Sequence, residues 1–399
     1  MLVKICDAPM GAGKTSAAIN YMNQHWEKNF LFVTPYLAEV DRICSACAER
    51  EFVSPENKGK GKLEDLIHQV MLRNCIASTH ALLSTDNNAA ASVIKDAGYT
   101  LILDEVANVL DIVEISKADV LGILNNWATY DKDTGRVIWL DDTYSGKFNN
   151  IKRMAQSNRL IFFNNAFLFW EFPVDVFEAF DEVIILTYMY ECQIQAYYFK
   201  AHGIEMQPIY IDNSTGSYLF TENEVKYSFI QNYVKKINVC DHAKLNMIGD
   251  KKGSLSKSWY TRVKKSISLK RLKDNMYNYF YNICKAKSND VLWTTFKDYS
   301  RSTSPRSYSK GYLPCTMRAS NSYRDRNCLA YCVNIFINPV ISQYFYSKGI
   351  VVDQDRYALS TLVQWIWRSA IRDGKDINIY LPSKRMRTLL LNWIAEVSQ

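Results

Sequence analysis

A glycine-containing loop that directly follows an apolar run near the N-terminus constrains this chain more than any other feature. Residues 2–6 predict a buried strand, residues 8–15 read Ala-Pro-Met-Gly-Ala-Gly-Lys-Thr, and a helical pattern begins at Ser16. A strand, a loop and a helix in this order point successive backbone N–H groups into a concavity at a helix N-terminus, where the helix dipole favours a polyphosphate. The segment therefore predicts a phosphate-binding loop, with Ala8 where the usual pattern has its first glycine. A chance glycine turn would not need this strand–loop–helix context.

The loop predicts a role for each of its residues. We expect Lys14 to reach the β- and γ-phosphates, and the Thr15 hydroxyl to take one ligand position of a Mg²⁺ ion. The residues expected to bind the nucleotide are Pro9, Met10, Gly11, Ala12, Gly13, Lys14, Thr15 and Ser16. The cofactors predicted from the loop are therefore a nucleoside triphosphate, ATP or GTP, and Mg²⁺.

Four further apolar runs predict strands that end in polar residues. The runs are 30–33, 74–80, 99–103 and 183–186, and the polar residues at or after their ends include Thr34, Pro35, Thr79, His80, Asp104, Glu105 and Thr187. Short apolar strands that alternate with helical segments indicate a parallel sheet, whose ligands bind at the carboxyl ends of the strands. The first half of the chain therefore predicts an α/β domain with its site at one edge.

Asp104 and Glu105 are the candidate hydrolytic pair. An aspartate at the tip of a buried strand can hold Mg²⁺ opposite Thr15. The adjacent glutamate can orient or deprotonate an attacking water within hydrogen-bond reach. The alternative is a helix N-cap, but a phosphate loop about 90 residues upstream favours catalysis.

Size and composition exclude several classes of protein. A length of 399 residues predicts two domains. The sequence has no uninterrupted apolar stretch of about 18 residues, so no membrane-spanning helix is expected. The ten cysteines are scattered among apolar runs, as in a reduced cytoplasmic protein, and the apolar N-terminal strand predicts that there is no signal peptide. Cys44 and Cys47 have metal-ligand spacing without a second pair, which favours a structural role in a helix.

The formal net charge of +7 is distributed unevenly. Residues 251–273 carry nine lysines and arginines, among them Lys257, Lys264 and Lys265, with Trp259 and Tyr260 between them. Such a block suits contact with a phosphate backbone and stacking on bases. A solvated loop and helix face explains the same charges, and both interpretations stay open.

The second half predicts another alternation of strands and helices without a phosphate loop of its own. Strands are expected at 195–199, 290–295 and 377–381, and a mobile loop at 299–310. Helices are expected at 267–287, at 359–372, from 385, and at 329–345 with an interruption at Asn338 and Pro339. Gln364, Arg368 and Arg372 would share one face of the helix at 359–372 because they are four residues apart. A solvated polar stripe is the alternative to a functional face.

With these residues the chain resembles a superfamily 2 helicase of the DEAD/DEAH type, and most of all the compact phage-encoded members. The matching segments are 8–15 for motif I, 34–36 for motif Ia, 78–80 for the turn before motif II, 104–107 for motif II, 186–188 for motif III and 364–372 for motif VI. Residues 293–296 and 316–321 match motifs IV and V loosely. Tyr188 replaces a small residue of motif III, and the second arginine of motif VI lies one residue further along than usual.

The resemblance implies a fold, an activity and further site residues. The fold would be two RecA-like P-loop NTPase lobes, each a mainly parallel sheet flanked by helices, at residues 1–194 and 195–399. The activity would be ATP-dependent translocation on single-stranded nucleic acid, with DNA favoured over RNA, in the cytoplasm and with proteins of phage replication or recombination as partners. Lys14, Asp104, Glu105, Gln364, Arg368 and Arg372 would be catalytic, the two arginines as fingers on the γ-phosphate. Contacts to nucleic acid are expected at Thr34, Pro35, Thr79, His80, Thr294, Thr295, Lys257, Lys264 and Lys265.

Three other classes share part of this pattern. A DNA-packaging motor with a C-terminal nuclease needs a metal-binding carboxylate cluster, for which Asp298, Asp325, Asp353 and Asp355 are present without a recognisable frame. A nucleoside kinase would be shorter and would not need a water-activating glutamate. A clamp that binds ATP without hydrolysis would not need Glu105.

Overall fold

The computed structural model describes residues 1–57, 59, 61–83, 88–264, 266–317 and 323–399. Their contacts define two units. The first unit comprises Met1–Ala8, Gly13–Val225 and Pro339–Val352, and the second comprises Pro9–Ala12, Lys226–Asn338 and Asp353–Gln399. None of the described helices combines the length and the apolar character needed to cross a bilayer.

The strands follow the apolar runs of the sequence. In chain order they are β1 (Leu2–Asp7), β2 (Asn29–Thr34), β3 (Ile76–Thr79), β4 (Tyr99–Asp104), β5 (Leu110–Ile112), β6 (Ala128–Tyr130), β7 (Val137–Trp139), β8 (Leu160–Phe163), β9 (Phe167–Glu171), β10 (Glu182–Thr187), β11 (Met206–Asp212), β12 (Leu219–Thr221), β13 (Ile237–Val239), β14 (Val291–Thr294), β15 (Cys328–Tyr331) and β16 (Ile377–Tyr380).

The helices alternate with these strands in both units. In chain order they are α1 (Lys14–Gln24), α2 (Leu37–Ala46), α3 (Lys62–Met71), α4 (His80–Leu83), α5 (Asn88–Ala97), α6 (Lys117–Asn126), α7 (Asn149–Gln156), α8 (Val174–Glu178), α9 (Ile194–Ala201), α10 (Ile230–Val234), α11 (Ala243–Asn246), α12 (Lys257–Val263), α13 (Ile267–Asn278), α14 (Ser300–Thr303), α15 (Pro339–Ser347), α16 (Gln354–Ile366) and α17 (Lys384–Val397).

The main sheet of the first unit has the described strand order β12-β11-β1-β10-β4-β2-β3, and every pair except β11–β12 is parallel. Strands β2, β4 and β10 are buried along almost their whole length, which explains why they are continuous apolar runs rather than alternating ones. Strand β10 pairs Asp7 with Thr187 and Leu186 with Asp104. The carboxyl ends of β1, β10 and β4 therefore lie side by side, and the predicted parallel sheet is confirmed.

A small module lies in the chain between β4 and β10, where the sequence analysis placed no element. Strands β5, β9 and β8 form an antiparallel sheet, and β6 and β7 form a hairpin. The hairpin turn is held by the Asp131 carboxylate, which accepts a hydrogen bond from the Thr134 N–H at 2.7 Å. Helices α6 and α7 supply part of its apolar core, which includes Val120, Ile151 and Leu168.

Glu171, at the end of β9, ties three parts of the first unit together. It is 1% exposed, pairs with Arg136 of the module, accepts a hydrogen bond from the Tyr344 hydroxyl of α15 at 2.8 Å, and lies 3.4 Å from His202 Nε2. Burial alone would raise the pKa of Glu171, but the hydrogen bonds and the Arg136 charge outweigh it, and the pKa is lowered. The Tyr344 ring also packs on Phe169, with centroids 5.1 Å apart.

The second unit is built on a four-stranded parallel sheet in the described order β13-β16-β15-β14. Its core is unusually aromatic and includes Trp259, Tyr260, Tyr279, Trp293 and Tyr380. Tyrosine hydroxyls in this core bind backbone carbonyls, which satisfies their polar atoms without water. Tyr260, for example, donates to the Cys332 carbonyl at 2.6 Å. The predicted stacking of Trp259 and Tyr260 on bases is therefore wrong, because both side chains are buried in the protein core.

Several predicted elements of the second half differ from the structure. Residues 195–199 form part of helix α9 rather than a strand, and β11, which follows, joins the main sheet of the first unit. All five of these residues are buried, and a short helix that is apolar all round cannot be told from a buried strand by its pattern.

Two further segments differ from their predictions. The part of 329–345 before the expected interruption at Asn338 and Pro339 contains strand β15 rather than a helix, whereas helix α15 begins at Pro339. The mobile loop expected at 299–310 contains the short helix α14, and its Thr303 and Tyr308 are buried. Side-chain burial, which depends on distant residues, therefore overrides the local Ser and Arg composition.

Candidate nucleotide site

The phosphate loop joins β1 to α1 and has the conformation that its glycines permit. Gly11 and Gly13 have φ values of +90° and +89°, a region that glycine enters at little cost. Helix α1 begins at Lys14, with Gly13 as an N-cap that has no side chain to occupy the first N–H groups. The Ala8 N–H donates to the Thr187 carbonyl at 3.0 Å, which fixes the start of the loop to β10.

Lys14 lies over the start of the same loop. Its Nζ donates a hydrogen bond to the Ala8 carbonyl at 2.5 Å. Burial lowers the pKa of Lys14, and the nearby negative charges of Glu105, Cys6 and Asp104 oppose that effect. The lysine is therefore within range of the charges of the acidic pair, and its binding of phosphate beside Mg²⁺ stays a prediction.

Asp104 ends β4 and Glu105 begins the loop that follows. Burial raises the pKa of Asp104 to about 7, and the Glu105 charge adds to the increase. Glu105 has a φ of +72°, and its N–H donates to the Leu186 carbonyl at 2.9 Å. The Thr187 hydroxyl donates to Glu105 Oε2 at 3.4 Å. Neighbouring strand β10 thus contacts Glu105 through both its backbone and its side chain.

The oxygen atoms of Thr15 and Asp104 fit a magnesium site. Mg²⁺ is usually held by one or two protein oxygens together with phosphate oxygens and water. A carboxylate whose pKa is raised by burial gains from a cation that neutralises it. The donor set therefore suits Mg²⁺ bound with a nucleotide.

Two residues that the sequence analysis did not single out hold the loops of this edge. The Asp7 carboxylate accepts hydrogen bonds from the Met189 and Tyr190 N–H groups at 2.7 and 2.9 Å, just beyond Thr187. Gln195 is fully buried, and its Oε1 accepts from the Ala107 N–H at 3.0 Å. In each case the hydrogen-bond partner lies about 90 residues or more away in the chain, so no local sequence motif could have revealed the contact.

The residues predicted to contact nucleic acid in the first unit end strands β2 and β3. Thr34 is fully buried, whereas Pro35, Thr79 and His80 are half-buried. His80 Nε2 lies 3.2 Å from the Asp104 carbonyl oxygen, so this ring contacts the backbone of the acidic pair.

In the second unit the predicted contacts divide into buried and exposed residues. Thr294 and Thr295 are fully buried, and the Thr295 hydroxyl is 3.1 Å from that of Thr303. Lys257 begins α12 and Lys264 follows it, both exposed, and Lys265 lies outside the described residues. Residues 318–321 of the loose motif V match also lie outside them.

The prediction that one helix carries Gln364, Arg368 and Arg372 is wrong. Helix α16 ends at Ile366, and Arg372 belongs to a separate 3-10 turn, Ala370–Asp373. The Ser369 hydroxyl donates to the Ile366 carbonyl at 2.6 Å and satisfies one of the carbonyls at the end of the helix. Gln364 is half-buried and bonded to Ser360, Arg368 is buried, and Arg372 is exposed.

The carboxylates considered for a nuclease have structural roles where the structure shows their partners. Asp353 caps α16 by accepting from the Asp355 and Arg356 N–H groups, and Asp355 pairs with Arg385 at 2.7 Å. Within the described residues, no three His, Cys, Asp or Glu side chains are grouped so that they could hold a metal ion. Cys44 and Cys47 lie in α2 and at its C-cap.

Comparison with protein families and relatives gives matches to both halves of the chain. The model of the YonV C-terminal Rossmann-like domain matches residues 231–394, and that of the YonV middle domain matches residues 110–170. The second range coincides with the module between β5 and β9. The SPbeta prophage-derived uncharacterized protein YonV of Bacillus subtilis (strain 168) is 41% identical over 408 residues, which is 98% of each chain.

Solved structures resemble the whole chain in fold. The structure described as XPD_APO has a TM-score of 0.54 at 14% identity and covers 99% of this chain and 95% of its own. Xpd4 of S. tokodaii has a TM-score of 0.48 at 12% identity and covers 98% and 94%. At 14% identity the likeness to XPD_APO is a statement about fold, and it agrees with two α/β lobes built on mainly parallel sheets.

Proposed function

The chain belongs to the YonV family, and we propose that it is an ATP-driven motor, a helicase or translocase that moves on single-stranded nucleic acid. The observation that carries the proposal is the convergence of three strand ends. Lys14 follows β1, Thr187 ends β10, and Asp104 and Glu105 follow in β4 and its loop. The strand register and the Thr187–Glu105 contact hold these groups at one edge of one sheet.

Each group has a separate task in ATP hydrolysis. Lys14 and the N–H groups at the start of α1 bind the phosphates and offset their charge. The Glu105 carboxylate accepts a proton from the attacking water as its oxygen bonds to the γ-phosphorus. The bond from that phosphorus to the β,γ-bridging oxygen breaks, and ADP leaves with the electron pair. Thr15 and Asp104 would hold a Mg²⁺ ion, which would neutralise further charge on the phosphates.

The ordered superfamily 2 motifs and the XPD_APO-like fold support a motor rather than another ATPase. The assignment of residues 1–194 and 195–399 as its two motor domains, and of Gln364, Arg368 and Arg372 as γ-phosphate contacts, stays a prediction. The same is true of DNA as the preferred strand, of a role in the host cytoplasm, and of replication or recombination as the process served. The prophage origin of the relative agrees with a phage-encoded protein.

The test is ATP turnover by the purified chain with and without single-stranded DNA or RNA. We expect turnover to rise on addition of DNA. Lys14→Ala should lose nucleotide binding, whereas Glu105→Gln should keep binding and lose about 100-fold or more in turnover. Lys147→Ala, a lysine with a 74% exposed side chain in the module between β4 and β10, is the matched control and should behave as wild type.

Two results would contradict the proposal. ATP turnover that neither DNA nor RNA changes would contradict the motor function, although the chain would still be an ATPase. Unchanged turnover in Glu105→Gln would show that Glu105 does not activate the water.

A further inference from the structure

The ring of Tyr218 packs directly on Gly13 of the phosphate loop. A Cβ atom built on Gly13 would lie 2.2 Å from Cδ1, 2.4 Å from Cε1 and 2.8 Å from Cγ of this ring. Cβ atoms in proteins essentially never make contacts this short, so the ring occupies the space that the missing side chain of Gly13 leaves open. Tyr218 lies in the connection between β11 and β12, about 200 residues from the loop in sequence.

The position of Tyr218 is fixed by the packing of β12 along α1. The Asn20 side chain donates to the Tyr218 carbonyl at 2.9 Å, one and a half turns into the helix. Two residues further on, the Phe220 ring meets the Tyr21 ring edge-on, with centroids 5.7 Å apart. The strand thus runs along the helix, and Tyr218 is held at the end where the helix begins.

A glycine at this position of a phosphate loop has a known physical purpose. It lets the backbone approach a phosphate group more closely than any side chain would allow. The first N–H groups of α1 point toward the same region. A phosphate bound on this loop and the Tyr218 ring therefore compete for the space beside Gly13.

We propose that Tyr218 is a plug of the nucleotide site: its ring closes the phosphate loop in the nucleotide-free chain and must swing away before a nucleotide binds. The inference rests on the proposed nucleotide site and adds a form of regulation to it. Closure lowers the apparent affinity by the fraction of chains in which the site is open.

The contacts of the ring agree with a group that moves. Tyr218 is half-buried. In the part of the chain that the structure describes, its hydroxyl makes no hydrogen bond and its ring has no aromatic partner, although its backbone carbonyl is bonded to Asn20. A rotation about the side-chain bonds would therefore release the ring without detaching β12 from α1.

The experiment measures binding of a fluorescent ATP analogue with Mg²⁺ by stopped flow, in wild type and in three variants. If the ring leaves the site open in about one chain in ten, Tyr218→Ala should bind about tenfold more tightly, through a faster association rate and an unchanged dissociation rate. Tyr218→Phe, which keeps the ring, should match wild type. Tyr346→Ala, at a 73% exposed tyrosine of α15, is the control and should also match it.

The outcomes separate this inference from the function on which it rests. Weaker binding by Tyr218→Ala through faster dissociation would show that the ring stacks on the bound nucleotide, and it would overturn the plug while leaving the nucleotide site. Equal binding by Tyr218→Ala and wild type would also overturn it. Failure of every variant, wild type included, to bind any nucleotide would overturn both the plug and the site.

Discussion

At the scale of single residues, Glu105 is a position of the site whose backbone conformation is constrained, with a φ of +72°. A positive φ at a residue other than glycine costs on the order of 1–3 kcal/mol and persists only where neighbours enforce it. Here the neighbours are consecutive residues of β10: the Leu186 carbonyl holds the Glu105 N–H, and the Thr187 hydroxyl contacts its carboxylate. Strand β10 therefore sets the direction in which the candidate base points.

Thr187 should act as a positioning residue for Glu105. Thr187→Val keeps the shape of the side chain and removes the hydroxyl, so we expect turnover to fall about ten- to hundredfold because the base is less well oriented. The nucleotide dissociation constant should stay within about twofold, since Thr187 does not bind the phosphates. Steady-state ATP turnover and a binding titration measure the two effects.

Thr187→Ser is the control that separates orientation from packing. It retains the hydroxyl, so its turnover should return most of the way to wild type. A serine variant as slow as the valine variant, or a loss that appears only in nucleotide affinity, would refute the role of the hydroxyl.

The sequence is informative about the site where its signals are local. The residues of the phosphate loop around Lys14 are neighbours in the chain, and so are Asp104 and Glu105. Each of these two motifs indicates its chemistry by itself. Asp7, Gln195 and Tyr218 have functions only through partners that are distant in sequence, such as Met189, Ala107 and Gly13. No spacing rule connects such pairs before the fold is known.

At the scale of elements, the buried strands are the most predictable parts of this fold. Parallel strands buried on both faces are short apolar runs, and β2, β4 and β10 each stand between polar or turn-forming residues. The same logic fails for α9, whose buried aromatic run has no polar face. It also fails at β15, where an apolar strand and an apolar helix follow each other with only a short connection.

The module between β4 and β10 could have been recognised from its hairpin. Asp131 to Gly135 is a polar turn with a glycine, and Val137, Ile138 and Trp139 follow it with alternating burial. An aspartate and a glycine between two β-forming runs favour a hairpin. The larger antiparallel sheet could not be derived in this way, because β5 pairs with a strand more than 50 residues further along.

The turn Met247–Gly249 should show how closely two elements of the second unit pack. A Cβ on Gly249 would lie 1.8 Å from the Pro382 carbonyl oxygen, in the connection between β16 and α17. Gly249→Ala must therefore push backbone away from backbone, and we expect it to lower the free energy of unfolding by about 2–3 kcal/mol or more. Urea denaturation followed by tryptophan fluorescence measures the loss.

Gly253→Ala is the matched control, since neither glycine has a positive φ and the described atoms leave the space around a Cβ at 253 empty to 4 Å. This change should stay within about 0.5 kcal/mol of wild type. Equal effects of the two alanines would show that the approach to Pro382 is not tight in solution.

At the scale of the whole molecule, the net charge of +7 raises the question of which exposed residues could contact nucleic acid. The aromatic residues Trp259 and Tyr260 of the basic stretch belong to the core of the second unit, so electrostatic contact there depends on its exposed lysines and arginines. Binding through such lysines releases counterions from the nucleic acid and weakens with salt, and it does not depend on base sequence.

Lys257 and Lys264 should therefore contribute to the salt dependence of nucleic-acid binding. Replacing both by alanine should weaken binding of single-stranded DNA and reduce the slope of log affinity against log salt by about 1.4, roughly 0.7 for each phosphate that a lysine no longer neutralises. Fluorescence anisotropy at several salt concentrations measures both quantities.

The double variant Lys375→Ala, Lys384→Ala carries the same change in net charge on exposed lysines of the same unit. It should leave the slope close to that of wild type. Matching slopes in the two double variants would mean that the stretch at 251–273 is a solvated face without a specific contact.

Helix α15 has a consequence for how this protein can vary in evolution. By its contacts it belongs with residues 13–225, yet in the gene it lies between two stretches that build the other unit. A fragment that stopped at Val225 would lose Tyr344 and uncover Phe163, Phe169 and the Glu171 carboxylate. A single recombination event that exchanged residues 1–225 alone would therefore leave this apolar surface open.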